Sequence, residues 1–124
     1  MMPDWIAELN DLLGDCVYTD EATLHAHAGD KWHAEALPQA VVLATTTGQV
    51  SAALRFAHER GIPVTPRGAG VGYVGGCVPV QGGIVLSVAQ MTRILEVNPA
   101  DGVAVVEAGV LTWDMLAAAE DLIG

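Results

Sequence analysis

Basic residues and long apolar runs are both scarce in this chain. Five Lys and Arg side chains stand against 15 Asp and Glu in 124 residues, which gives a formal charge of −10 at pH 7. A surface of that sign lacks the basic footprint that nucleic acids and anionic membranes select. No apolar run approaches the roughly 18 residues of a membrane span. The sequence therefore predicts no nucleic-acid partner and no transmembrane segment.

Cysteine is scarce as well. Cys16 and Cys77 are too few for the disulfide framework of a small secreted domain, so reduced thiols are expected. The opening residues Met-Met-Pro-Asp-Trp show neither the basic region nor the apolar region of a signal peptide. From both observations we expect a cytoplasmic protein.

Metal-ligand spacing is missing too. His25 and His27 are two residues apart, and on the helix predicted there positions i and i+2 point to different faces. Neither H-E-x-x-H nor C-x-x-C occurs. We therefore predict no metal site.

Hydrophobic residues are abundant, at 52% of a chain long enough for one domain and too short for two. Two explanations remain open for this excess. One is an α/β core rich in alanine and valine. The other is a face that packs against a partner or a further part of the polypeptide.

Hydrophobic periodicity predicts two N-terminal helices. Asp4 is the expected cap of the first, which ends near Gly14, and residues 19–21 begin a second, which ends at Gly29. A βαβ unit follows. It comprises a buried strand at residues 40–44, a helix capped by Thr47, and a second strand from residue 62, which should be parallel to the first.

The remaining chain predicts a third strand at residues 84–88, a hairpin around an Asn-Pro-Ala-Asp-Gly turn, and a last helix capped by Thr112. The predicted fold class is α+β with α/β character. A small parallel βαβ sheet comes first, mixed or antiparallel strands follow, and helices precede both.

The most unusual stretch is the glycine loop, residues 66–76, which follows the second strand. Five glycines fall within ten residues, and glycine lets backbone N–H groups line a concavity. Residues 70–75 match G-x-G-x-x-G, but Pro79 and the Gly82-Gly83 pair prevent the helix that a Rossmann fingerprint requires. The acidic residue expected about 20 positions on is also missing, and no G-K-[ST] of a Walker A loop occurs.

Two interpretations of the glycine loop remain. In one, backbone N–H groups from Arg67 to Gly72 converge on the oxygens of a diphosphate, while Arg67 adds charge or braces the loop. In the other, the loop is a glycine-rich turn between strands and binds nothing. We favour the diphosphate, because five glycines separated by bulky hydrophobic residues exceed what a turn needs.

Several segments share a family pattern. They are residues 37–42, the helix through Val50 and Gly61, and residues 62–70, 75–79, 82–86 and 105–110. In combination they resemble the start of an FAD-linked oxidase of the vanillyl-alcohol oxidase / p-cresol methylhydroxylase (PCMH) type, within its glycolate oxidase and D-lactate dehydrogenase branch. The resemblance implies that residues 37–124 are the incomplete first part of a PCMH-type FAD-binding domain, preceded by a helical segment at residues 1–36.

The resemblance also implies which residues bind the cofactor. The FAD diphosphate would lie on the backbone of Pro66, Arg67, Gly68, Ala69, Gly70, Val71 and Gly72, and again near Gly75 and Gly76. Val71 and Val74 stand where such loops often carry Thr or Ser, so binding would depend more on backbone. No histidine lies between Arg67 and Val80 to attach FAD covalently, so non-covalent FAD is implied.

The implied activity is oxidation of a small 2-hydroxy acid, such as glycolate or D-lactate, by a flavin-dependent dehydrogenase or oxidase. Family members are several times longer, and their catalytic residues lie in the later part. We therefore expect a fragment that is inactive alone, with catalytic residues beyond Gly124. The alternative is a non-catalytic FAD-fold subunit or an inactive truncated module, and an exposed apolar face would suit a partner subunit or an oligomer.

Overall fold

A computed structural model of the protein describes residues 3–29, 36–70 and 76–123. The helices and strands, in order, are α1 (Trp5–Leu13), a 3₁₀ turn (Gly14–Cys16), β1 (Val17–Tyr18), α2 (Glu21–Ala26), β2 (Ala40–Leu43), α3 (Thr47–Arg60), β3 (Val64–Arg67), β4 (Ile84–Ser87), β5 (Ile94–Asn98), β6 (Val103–Val106) and α4 (Thr112–Ile123). Helices and strands alternate up to β3, and the four strands β3 to β6 follow one another, which agrees with the predicted α+β class with α/β character. No helix of these described segments is long and apolar enough to cross a bilayer.

Four strands form the main sheet, in the order β1-β2-β4-β3. β4 is parallel to both of its neighbours, so β2 and β3 are parallel, as predicted. They are not adjacent, however, because β4 lies between them. β1 adds an antiparallel edge to β2, and its two residues carry no periodic signal that could have predicted it.

A glycine turn places β4 in the centre of the main sheet. Gly83 has a φ of 67°, and a Cβ there would meet the carbonyl oxygen of Pro63. The Gly83 carbonyl accepts from the amides of Gln39 (2.8 Å) and Ala40 (3.2 Å), while the Ile84 amide donates to Pro63 O (2.9 Å). The turn thus contacts the starts of both flanking strands, and only glycine fits there.

The core lies between the main sheet and helices α1 and α3. Side chains of β2 and β4 pack against Leu9 of α1 and Phe56 of α3. Burying one such side chain fully stabilises the fold by about 1.5–3 kcal/mol relative to leaving it exposed. Val41 and Val85, which alternate with the residues of this core, are also 0% exposed, so β2 and β4 are covered on both faces. The sequence predicted this for β2.

Helix ends follow the predicted chemistry with small corrections. α3 is capped by Thr46, one residue before the predicted Thr47, since Thr46 Oγ1 accepts from the Gln49 amide at 3.1 Å. Asp20 caps α2 by accepting from the Thr23 amide at 3.0 Å, which lowers the pKa of its carboxyl. Asp4 precedes α1 but makes no side-chain cap bond.

The C-terminal elements form a second unit, the hairpin–helix unit, which consists of β5, β6 and α4. β5 and β6 pair antiparallel, which confirms the predicted hairpin, and α4 packs against them. The Glu107 carboxylate accepts two hydrogen bonds from Arg93, one from its backbone amide (2.8 Å) and one from its Nε (3.0 Å). These bonds hold the pKa of Glu107 below its ordinary value, and the bond from the Arg93 side chain has the larger effect.

Candidate functional site

Three loops leave the main sheet at one edge. The last residues of β2, β4 and β3 lie in register, with Leu43 opposite Ser87 and Ser87 opposite Arg67. The ladder continues one step further, since Ala44 N donates to Ser87 O at 3.0 Å and Val88 N donates to Arg67 O at 2.9 Å. In open parallel sheets, ligands bind outside the carboxyl ends of the strands. The glycine loop starts at this carboxyl edge.

The described start of the glycine loop, residues 68–70, has backbone N–H groups that are accessible to a ligand. Gly68 and Ala69 are exposed and Gly70 is half-buried. None of their three amides donates to another residue in the described part of the chain. A Cβ built on Gly68 would meet nothing within 4 Å. A ligand could therefore approach the Gly68 backbone closely and accept bonds from these amides, which is the chemistry that a diphosphate requires.

The first turn of α3 lies at the same edge, directly after β2. It contains no acidic residue, so the positive end of the helix dipole is not neutralised there. This local field favours an anion against the overall charge of −10. The carboxyl edge can therefore hold a phosphate without a cluster of basic side chains.

Arg67 ends β3 with its side chain turned toward the N-terminal segment. Its Nη1 donates to the carbonyl oxygen of Gly29 at 2.6 Å. Cys77 Sγ lies 3.8 Å from the same oxygen. Both sides of the glycine loop thus reach Gly29, a partner that the sequence did not indicate because it lies 38 residues before Arg67.

Several predicted site residues can be placed. Pro66 lies in β3, an edge strand of the main sheet, where a missing N–H is tolerated. Gly76 is exposed, and a Cβ there would meet nothing within 4 Å. The predicted residues Val71, Gly72 and Gly75 lie outside the described residues.

The two cysteines differ in surroundings. Cys16 is buried in the core, where desolvation raises the pKa of its thiol, and its Sγ donates to Leu13 O at 3.3 Å. Cys77 is half-buried beside the glycine loop. Both are free thiols, and Cys16 has the environment of an inert core residue.

Comparison with known proteins identifies the fold. The sequence pattern of a family described as FAD binding domain matches residues 38–121. D-lactate dehydrogenase of Anaerostipes hadrus is 36% identical over 115 residues, which are 93% of this chain and 23% of that protein. The glycolate oxidase protein GlcD of Bacillus subtilis is 37% identical over 86 residues, or 69% of this chain and 18% of that protein.

A solved structure agrees with these relatives. The crystal structure of p-cresol methylhydroxylase with substrate bound has a TM-score of 0.80 and 29% identity, covering 95% of this chain and 24% of that one. The chain therefore spans about a quarter or less of the proteins it matches. The family match covers most of the chain, and the resemblance predicted from the sequence is confirmed. This chain belongs to the FAD binding domain family of flavin oxidoreductases, with the PCMH-type fold.

Proposed function

We propose that the glycine loop holds the diphosphate of FAD on its backbone amides. The residues are those expected from the sequence: Pro66, Arg67, Gly68, Ala69, Gly70, Val71, Gly72, Gly75 and Gly76. Pro66 has no N–H, so it contributes contact with the cofactor and no hydrogen bond from its nitrogen. The observation that carries the proposal is the exposed backbone of residues 68–70 at the carboxyl edge, with amides that bind no other described residue. FAD is held non-covalently, because no loop histidine exists to attach it.

We further propose that the complete enzyme oxidises a 2-hydroxy acid such as glycolate or D-lactate. The support is the similarity to GlcD and to D-lactate dehydrogenase. Bound FAD supplies a hydride acceptor, while this chain binds the diphosphate and orients the cofactor. The catalytic residues belong to the parts of the relatives that this chain does not span. We propose that the chain alone is inactive and that it acts in the cytoplasm as part of a larger enzyme.

A second candidate is a non-catalytic FAD-fold subunit or an inactive truncated module. The observation in its favour is the exposed apolar surface of the hairpin–helix unit, which includes Leu95, Trp113 and Leu122. Apolar area of this kind marks a surface for association. A partner subunit or a second copy would cover it. In either case the FAD-binding part begins at residue 37, after a helical segment at residues 1–36.

Gly68→Ala tests the FAD proposal directly. The structure has open space where the new Cβ would lie, so the melting temperature should not change. In the complex the methyl group would stand between the amide and the diphosphate, and FAD affinity should fall by about tenfold or more, equivalent to one lost charge-assisted bond. Flavin fluorescence quenching measures the affinity.

Ala100→Ser is the matched control, because it also adds one heavy atom at an exposed position, in the turn of the hairpin. It should leave both the melting temperature and the FAD affinity unchanged. A chain that binds no FAD, or a Gly68→Ala variant that binds it like the parent, contradicts the proposal.

A further inference from the structure

Arg67 is the only basic residue of the glycine loop, and the sequence leaves two roles open for its side chain: it could bind a phosphate or brace the loop. The structure supports the second role. Arg67 is half-buried, and its Nη1 donates to the Gly29 carbonyl at 2.6 Å. The side chain is therefore hydrogen-bonded within the protein.

Gly70 lies close to the same guanidinium. A Cβ built on Gly70 would lie 2.8 Å from Arg67 Cζ and 3.1 Å from its Nε. Gly70 also has a φ of 75°, which disfavours any side chain. The planar group thus fills the space that a side chain at position 70 would need, so Arg67 and Gly70 fit together as one local structure.

The contact with Gly29 adds a third element. Gly29 follows α2, whereas Arg67 ends β3, so the hydrogen bond joins the N-terminal segment to the cofactor loop. Cys77 Sγ, on the far side of the loop, lies 3.8 Å from the same Gly29 oxygen. The arginine therefore links three backbone segments: residue 29, the end of β3, and residue 70.

We propose that Arg67 is a positioning residue that holds residues 68–70 in their binding geometry, and that it does not supply charge to the diphosphate. This inference rests on the proposed FAD function of the loop. It requires the planar guanidinium, which donates to Gly29 through Nη1 while its Cζ and Nε lie beside the position that a Cβ of residue 70 would take. A lysine keeps the charge but has neither the fork nor the flat face.

The first test uses the chain without cofactor. Backbone order parameters from ¹⁵N relaxation for Gly68 and Gly70 should be near about 0.85 in the parent and below about 0.6 in both Arg67→Lys and Arg67→Met. Arg60→Met is the matched control, since Arg60 also donates a side-chain hydrogen bond, from Nε to Glu8 at 2.8 Å, and lies in α3 away from the glycine loop in the chain. It should leave both values unchanged. Low order in the parent, or unchanged order in both Arg67 variants, overturns the proposal.

The second test separates positioning from charge. Arg67→Lys and Arg67→Met should both weaken FAD binding by about tenfold or more, and to a similar degree, since neither side chain has the planar guanidinium that lies beside Gly70. The far-UV circular dichroism of both variants should match that of the parent, whereas general damage to the fold would change it. An Arg67→Lys variant that binds FAD like the parent while Arg67→Met does not would show that charge is what matters.

The two tests distinguish failure of the proposed FAD function from failure of the positioning role of Arg67. If the parent chain binds no FAD, the proposed function fails for this chain, and the order parameters still decide whether Arg67 organises the loop. Gly70→Ala is the reciprocal variant. It should loosen residues 68–70 with Arg67 intact, and full order in that variant would contradict the fit between the two residues.

Discussion

The main sheet and the hairpin–helix unit contain similar apolar residues, but these are buried in the main sheet and exposed in the hairpin–helix unit. Ile84 and Val85 of β4 are 0% exposed, whereas Leu95 of β5 is 57% exposed and Trp113 of α4 is 81% exposed. β4 has a strand on each side and lies in the core beneath α1 and α3. The hairpin has no third strand among the described residues, and α4 packs against it.

This difference divides the hydrophobic excess of the sequence into two parts. The alanine- and valine-rich core accounts for β2 and β4. It does not account for the hairpin–helix unit, because apolar residues of that unit such as Leu95 and Trp113 lie exposed outside the core. A two-stranded hairpin is also marginally stable by itself. That unit attaches to the main sheet just after β4, where Gly109 N donates to Met91 O at 2.8 Å.

A pair of identical substitutions tests the contrast most strongly. Leu86→Ala in β4 removes a buried side chain and should destabilise the fold by about 2–5 kcal/mol, through lost burial and a cavity. Leu95→Ala in β5 removes a side chain that is mostly in water and should change stability by about 0.5 kcal/mol or less. Urea unfolding measures both. Equal losses would mean that Leu95 is covered in solution.

Gly109→Ala tests the attachment between the two regions. The new Cβ would meet the carbonyl oxygen of Val88 and lie 2.9 Å from that of Met91. Backbone atoms on this turn cannot move aside alone, so we expect a loss of about 1–3 kcal/mol. Gly48→Ala is the control, because its nearest neighbour would be Thr46 Oγ1 at an ordinary 3.8 Å. Unchanged stability of Gly109→Ala would mean that the contact is not formed.

The exposed apolar surface predicts association. The chain should sediment with a concentration-dependent mass, and Leu95→Glu should weaken its self-association about tenfold by placing a charge on that surface. Leu12→Glu is the matched control, since Leu12 is similarly exposed but lies on α1, outside the hairpin–helix unit. A chain that stays monomeric at all concentrations, or equal effects of the two variants, would contradict self-association through this face.

The smallest expected effect is the pH dependence of the hairpin. The pKa of Glu107 is lowered in the folded state by Arg93, so its contribution is present above the ordinary glutamate pKa of about 4.3. It is lost as the pH falls through the lower folded-state pKa. Glu107→Gln should therefore flatten the acid side of the stability profile in urea unfolding. A profile as steep as that of the parent would show that the Arg93 pair does not contribute.

Local signals predicted most of the elements. The apolar run of β2, the helical stripe of α3 and the turn chemistry of the hairpin each follow from a few neighbouring residues. The sequence could not show that Thr46 and not Thr47 caps α3, because three consecutive threonines offer the same cap chemistry. Two-residue β1 is too short to show a period.

Long-range contacts explain what the sequence could not predict. β4 lies between β2 and β3 because Gly83 contacts Gln39 and Pro63, far apart in the chain. The bond from Arg67 to Gly29 likewise joins residues 38 positions apart. The cofactor residues themselves stay a prediction, carried by the exposed amides at positions 68–70.

The most direct test of the central claim is to add FAD to the ¹⁵N-labelled chain and follow its amide signals. Because those amides donate to the diphosphate in our account, the signals of Gly68, Ala69 and Gly70 should shift with a common saturation curve. The signal of Gly102, in the hairpin turn, should not move. Absence of binding, or shifts confined to the hairpin–helix unit, would contradict the assignment of the glycine loop as the FAD site.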